Sequence, residues 1–272
     1  MEFSFRLGPA DGRYLARGRN DDLDVICFRT LDAPRRTLRR GRRPKRDTNG
    51  EAGPQPVPVS RAMVIGATGF DGAADAASWL ERSRGSEQER EQLVAEALRV
   101  VNDAIRAHRV SAADPYVREV ARSHAHRARI GYGIGDDLVE GRWAEAYAIP
   151  VPRGSRRQAL EPQQELAAVL SGRRTAYASE DLALRAHLDL DHQRVGQAAL
   201  QLDAALGALE AELEAKSAGG LSELARRRPR IRELAAAALR GPLDEAQADE
   251  LAQTLTELER ALRRRRHRHA GT

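Results

Sequence analysis

Lysine is almost missing from this chain: of its 45 Lys and Arg residues, only Lys45 and Lys216 are not arginine. Asparagine is scarce and alanine abundant, the usage of a GC-rich coding genome, so the preference for arginine carries no functional information. Cysteine occurs once, at Cys27. That excludes an internal disulfide; with no Cys/His signature beside it, and in its apolar alternating run, Cys27 reads as a buried structural thiol. Aromatic residues make up 4% of the chain and none follows Tyr177, so the second half has to pack through Leu and Ala. No apolar run approaches the roughly 18 residues of a membrane span, and no membrane contact is expected. Met1-Glu2-Phe3-Ser4-Phe5-Arg6 has neither a basic n-region nor an apolar core, so a soluble, cytoplasmic protein is expected.

What is present is charge, unevenly placed. The chain carries 45 Lys and Arg against 40 Asp and Glu, a net +5. Residues 35–46 (RRTLRRGRRPKR) hold eight of the cations and residues 260–272 (RALRRRRHRHAGT) hold six, with no acid in either. The rest of the chain is acidic. Codon bias does not place eight cations in twelve positions, so the clustering is informative. Anion or nucleic-acid contact is assigned to Arg35, Arg36, Arg39, Arg40, Arg42, Arg43, Lys45 and Arg46, and to Arg263, Arg264, Arg265, Arg266 and Arg268. Some of the second group also suit the negative end of a helix. Neither block contains an aromatic for base stacking, and neither matches a sequence-reading motif.

The pattern along the chain gives an α+β protein that is predominantly α. Residues 2–7 and 13–17 alternate in polarity around Gly8-Pro9-Ala10-Asp11-Gly12 and read as a β-hairpin. Residues 23–31 suit a third strand and Val57 to Ile65 a fourth. Between them, 32–56 combine the first basic block with Pro, Gly and charge, a composition that favours disorder. Asp71 is placed to cap a helix presenting Ala73, Ala76, Ala77 and Leu80. Ser86 and Glu89 fit a capping box for a longer helix with Val94, Leu98, Val101 and Ile105 as its stripe. Asp114-Pro115 reads as another helix start, and 125–132 as a strand.

Residues 149–162, with three prolines, read as a linker dividing a mixed β/α unit, 1–152, from a helical unit, 153–272. In the latter, Leu202, Leu206, Leu209 and Leu213 repeat at helical spacing, as do Leu251, Leu255, Leu258 and Leu262, and Gly219-Gly220 and Gly241-Pro242 mark breaks. Residues 180–213 resemble a single tetratricopeptide-type hairpin. With no second copy and the aromatic positions missing, an ordinary αα-hairpin in a bundle is expected.

Four local motifs carry candidate chemistry. Gly131, Gly133 and Gly135 form a glycine-rich loop able to bring amides to a phosphate. Asp136 and Asp137 would repel that phosphate, and a strand-to-helix turn needing positive φ is the favoured account of the glycines. His124 and His126 would share one strand face but lack further ligands at zinc spacing, so no metal site is expected. Asp189, Asp191 and His192 have no nucleophile beside them and read as a helix terminus. Trp143 beside Arg142 reads as a domain-packing anchor rather than a ligand stack, although it would serve either role.

The runs FRLGPADGRY (5–14), RRGRRP (39–44), RIGYGIGDDLVEGRW (129–143) and LALRAHLDLDHQRVGQAALQL (182–202) resemble an uncharacterised family of hypothetical proteins from GC-rich bacteria. The resemblance implies one evolutionary unit and carries no catalytic residue across. The expectation is a non-catalytic binding or adaptor protein without a cofactor. Its helical surface would meet a protein partner, and its Arg clusters would add non-specific anionic contacts. The alternatives are a nucleic-acid-associated protein, or an enzyme or ligand binder built on Gly131 to Asp137.

Overall fold

The computed structural model describes residues 1–5, 9–17, 23–31, 59–66, 68–150, 163, 165–214 and 222–270. The expected disorder of 32–56, the whole first basic block from Arg35 to Arg46, and the Gly219-Gly220 break lie outside the described residues. The chain divides into two compact units, Met1–Arg153 and Gly154–Thr272. The fold is α+β and mostly α, with a fully antiparallel sheet.

Alternation along LDVICFRTL organises the first unit. Six strands, β1 (Glu2–Phe5), β2 (Gly12–Arg17), β3 (Leu23–Leu31), β4 (Val59–Gly66), β5 (Ala128–Tyr132) and β6 (Glu145–Ile149), form one sheet in the order β2-β3-β4-β1-β5-β6. On one face Ile26, Phe28, Ala62, Ala128 and Ile130 are buried with Leu80, Val94, Val101 and Ile105 of the helices α1 (Ala73–Gly85) and α2 (Glu87–Ser111). On the other, Cys27 and Met63 pack with Leu138 and Trp143. The short helix α3 (Gly135–Val139) belongs to this second layer.

Three expectations are corrected here. The first two segments do not pair as a hairpin. β2 runs against β3 over six residue pairs, from Gly12↔Phe28 to Arg17↔Leu23, while β1 lies between β4 and β5. The nine-residue β3 offers β2 a full-length partner, which the four-residue β1 cannot. α1 starts behind Gly72 rather than on an Asp71 cap. Finally, Asp114-Pro115 opens a turn, not a helix: Asp114 Oδ1 accepts the Tyr116 N–H at 2.9 Å. The buried Asn102 then holds Val120 from both sides, donating to its carbonyl and accepting its N–H at 2.9 Å each. Those backbone groups are thereby satisfied without a helix. The capping of α2 follows expectation, with Ser86 Oγ accepting the Glu89 N–H at 3.2 Å.

The second unit is a bundle of α4 (Ala178–Asp191), α5 (Val195–Glu214), α6 (Ser222–Ala238) and α7 (Glu245–Ala270). Its core is aliphatic, built from Ala186, Leu202, Leu206, Leu209, Ile231, Leu234, Leu251, Leu255, Leu258 and Leu262. Each such leucine contributes about 2 kcal/mol over an exposed one. α4 and α5 form the expected αα-hairpin. Arg194 closes its turn, donating its amide to the Asp189 carbonyl and its Nε to Asp189 Oδ1, both at 2.7 Å. His192 Nδ1 lies 2.8 Å from the Leu188 carbonyl. Asp189 and His192 thus terminate a helix.

Candidate functional site

Gly131 in β5, and Gly133 and Gly135 after it, each have a local backbone or packing reason. A Cβ on Gly131 would stand 2.3 Å from the Glu145 carbonyl oxygen and 2.5 Å from Ala146 Cβ, so β6 can only pair this closely with glycine. On Gly133 it would meet Leu138 Cδ2 at 2.8 Å, and Gly135 sits at φ +42° as α3 begins. The acids that follow face arginines. Asp136 accepts from Arg13 at 2.8 Å, Asp137 from Arg142 at 2.5 Å, and Glu140 takes both guanidinium nitrogens of Arg29 at 2.9 and 3.1 Å. The hydrogen bond from Arg29, then its charge, holds the Glu140 carboxyl below the usual range and raises Arg29 in turn. α3 therefore lies against the arginine-bearing sheet face as an acidic counterpart. Beneath it burial raises the Cys27 thiol, with Arg13, Arg61 and Arg29 offsetting part of the effect.

His124 and His126 do not share a strand. His124 ends a 3-10 turn (Arg122–His124), its Nδ1 accepting the Ala121 N–H at 3.2 Å, and His126 precedes β5. Among the described residues no group of three or more His, Cys, Asp and Glu is placed to hold a metal.

Gly131 and Gly133 also rim a cavity of about 750 Å³ at one end of the sheet. β1 opens at Glu2, opposite Met63 and Arg129, whereas β4 runs on to Gly66 and β5 to Tyr132. The cavity lies where those two strand ends continue past Met1. Phe70, Trp79, Tyr132 and Trp143 line it, from four separate segments.

In the helical unit the second basic block divides. Arg263 and Arg264 are exposed on α7. Arg265 is buried: it donates to Glu212 Oε2 at 2.8 Å, and its guanidinium carbon stands 3.8 Å from the Tyr177 ring centre. Glu212 also accepts the backbone N–H and hydroxyl of the fully buried Ser179, at 3.0 and 2.7 Å. Arg266 donates to Glu180 at 2.9 Å, a carboxylate that also takes Arg174 at 2.7 and 2.8 Å. The end of α7 is thus clasped to the start of α4 and the end of α5. The side chain of Arg268 lies outside the described residues. Sequence reasoning missed this clasp although a signal existed. Arg265 continues the buried stripe Leu251, Leu255, Leu258, Leu262, and Glu212 continues Ala205, Leu209.

The outer face of α4 carries Leu184 and Leu188, 60% and 40% exposed and one turn apart. Polar contacts flank them: the ion pair Arg185–Asp181 at 2.6 Å, and His187 with Asp191 at 3.4 Å and Glu259 at 2.8 Å. Leu166 and Leu170 repeat the spacing in the helical residues 165–170, at 56% and 77%.

No family model, curated protein or solved structure matches this chain.

Proposed function

We propose that the chain is a binding protein whose helical unit engages a protein partner through the outer face of α4. The observation that carries this reading is the exposed pair Leu184 and Leu188. A single exposed leucine is ordinary. Two at one-turn spacing, on a helix whose inner face is already filled by Ala183 and Ala186, form an exposed apolar strip. Polar contacts on both sides give the strip a polar rim, the arrangement that suits the apolar face of a partner helix. Arg263 and Arg264 add non-specific anionic contact: both are exposed, Arg263 with a long 3.9 Å contact to Glu259, whereas Arg265 and Arg266 are engaged by Glu212 and Glu180.

The test is affinity purification of the full chain beside a Leu184→Glu/Leu188→Glu variant. Both positions are exposed, so the variant should keep its circular dichroism spectrum and melting temperature. A specific protein recovered with the native chain and lost with the variant supports the reading. Equal recovery by both, or no specific protein with either, contradicts it.

A further inference from the structure

We propose that the cavity at the end of β4 and β5 is a binding site for a neutral, planar heteroaromatic compound. This site belongs to the first unit and stands independently of the α4 surface. The chain has eleven aromatic residues in all, two of them tryptophan. Both tryptophans line this one cavity, together with Phe70 and Tyr132. The helical unit's core is wholly aliphatic, and the sheet core is mostly so, with Phe28 its one fully buried aromatic. Four of the chain's eleven aromatic residues, from four segments, are therefore gathered at this cavity.

The geometry suits a flat ring. Phe70 stands in the loop before α1, 42% exposed, with its ring centre 5.3 Å from that of Trp79 and tilted by 46°. A half-exposed phenyl ring held over an indole presents aromatic surface to the opening, and such surfaces favour π-faced partners beyond simple area burial. The cavity volume of about 750 Å³ falls within the usual range for small-molecule sites. Its polar wall has both signs of charge, Asp24 and Glu96 with Arg99. That mixture, with one acidic side chain in excess, disfavours an anionic ligand, while donors and acceptors together match the edge of a heterocycle. The Tyr132 hydroxyl is directed to Glu145 Oε2 at 3.3 Å, which fixes the ring and leaves its face as the contact.

Tryptophan emission reads this site alone, because both tryptophans line it. The full chain is titrated with adenosine and with lumiflavin as planar neutral probes, and with cyclohexanol as a non-planar control. Saturable quenching by a planar probe but not by cyclohexanol is expected. Phe70→Ala should weaken that binding about tenfold at an unchanged melting temperature, the effect of removing one stacking ring. Trp79→Phe, which keeps an aromatic face, should retain binding with a reduced signal. Absence of saturable quenching by both planar probes overturns the proposal, and so does quenching that Phe70→Ala leaves unaltered.

Discussion

Arg265 donates a charged hydrogen bond to Glu212 across 2.8 Å, with both side chains at least 85% buried. The pair joins the last turns of α7 and α5 under the ring of Tyr177. Removing one partner of such a pair leaves an uncompensated buried charge, and Arg265→Ala should destabilise the chain by about 3 kcal/mol. Chemical denaturation followed by circular dichroism checks this, with the exposed Arg264→Ala as the control that stays near zero.

That pair also shows what the sequence can and cannot tell. The strand 23–31, the α2 stripe and the leucine repeats of α5 and α7 are legible because hydrophobic period is local information. The pairing of β2 with β3 instead of β1 is not, since register and partner are decided between distant segments. The same limit hides the two kinds of arginine in RRRR at 263–266. They differ only in which face of α7 they occupy and which acids lie opposite. The Asp114-Pro115 helix start misleads for a related reason: Asn102, 18 positions before Val120, sets the backbone there, not local propensity.

Gly131→Ala should loosen the β5–β6 pairing. The new Cβ would stand within 2.5 Å of Ala146 Cβ and closer still to the Glu145 carbonyl, so β6 must move. Overpacking of this kind costs about 2 kcal/mol. The expected sign is a lowered melting temperature with faster amide exchange in Glu145–Ile149.

Glu140 makes one contribution to stability pH-dependent. Its folded pKa is depressed, chiefly by the hydrogen bond from Arg29. Its stabilisation is therefore present above the unfolded carboxyl pKa and lost as pH falls through the folded one. Carboxyl NMR should show Glu140 titrating below an ordinary glutamate. The stability difference between the native chain and Glu140→Gln should shrink on acidification. A Glu140 titrating at the ordinary value would contradict the contact with Arg29.

The anionic contacts proposed for α7 fall on Arg263 and Arg264. Binding to duplex DNA at low salt should weaken as salt rises, and Arg263→Gln/Arg264→Gln should flatten the log–log slope by about two units. An unchanged slope removes this end of α7 from the contact.

The central claim is that α4 is the partner-facing helix. Hydrogen exchange on the full chain, alone and with the protein it captures, measures that directly. The account predicts slowed exchange confined to α4, strongest around Asp181–Leu188, with α5 and α6 unchanged. Slowed exchange elsewhere with α4 unaffected would contradict it.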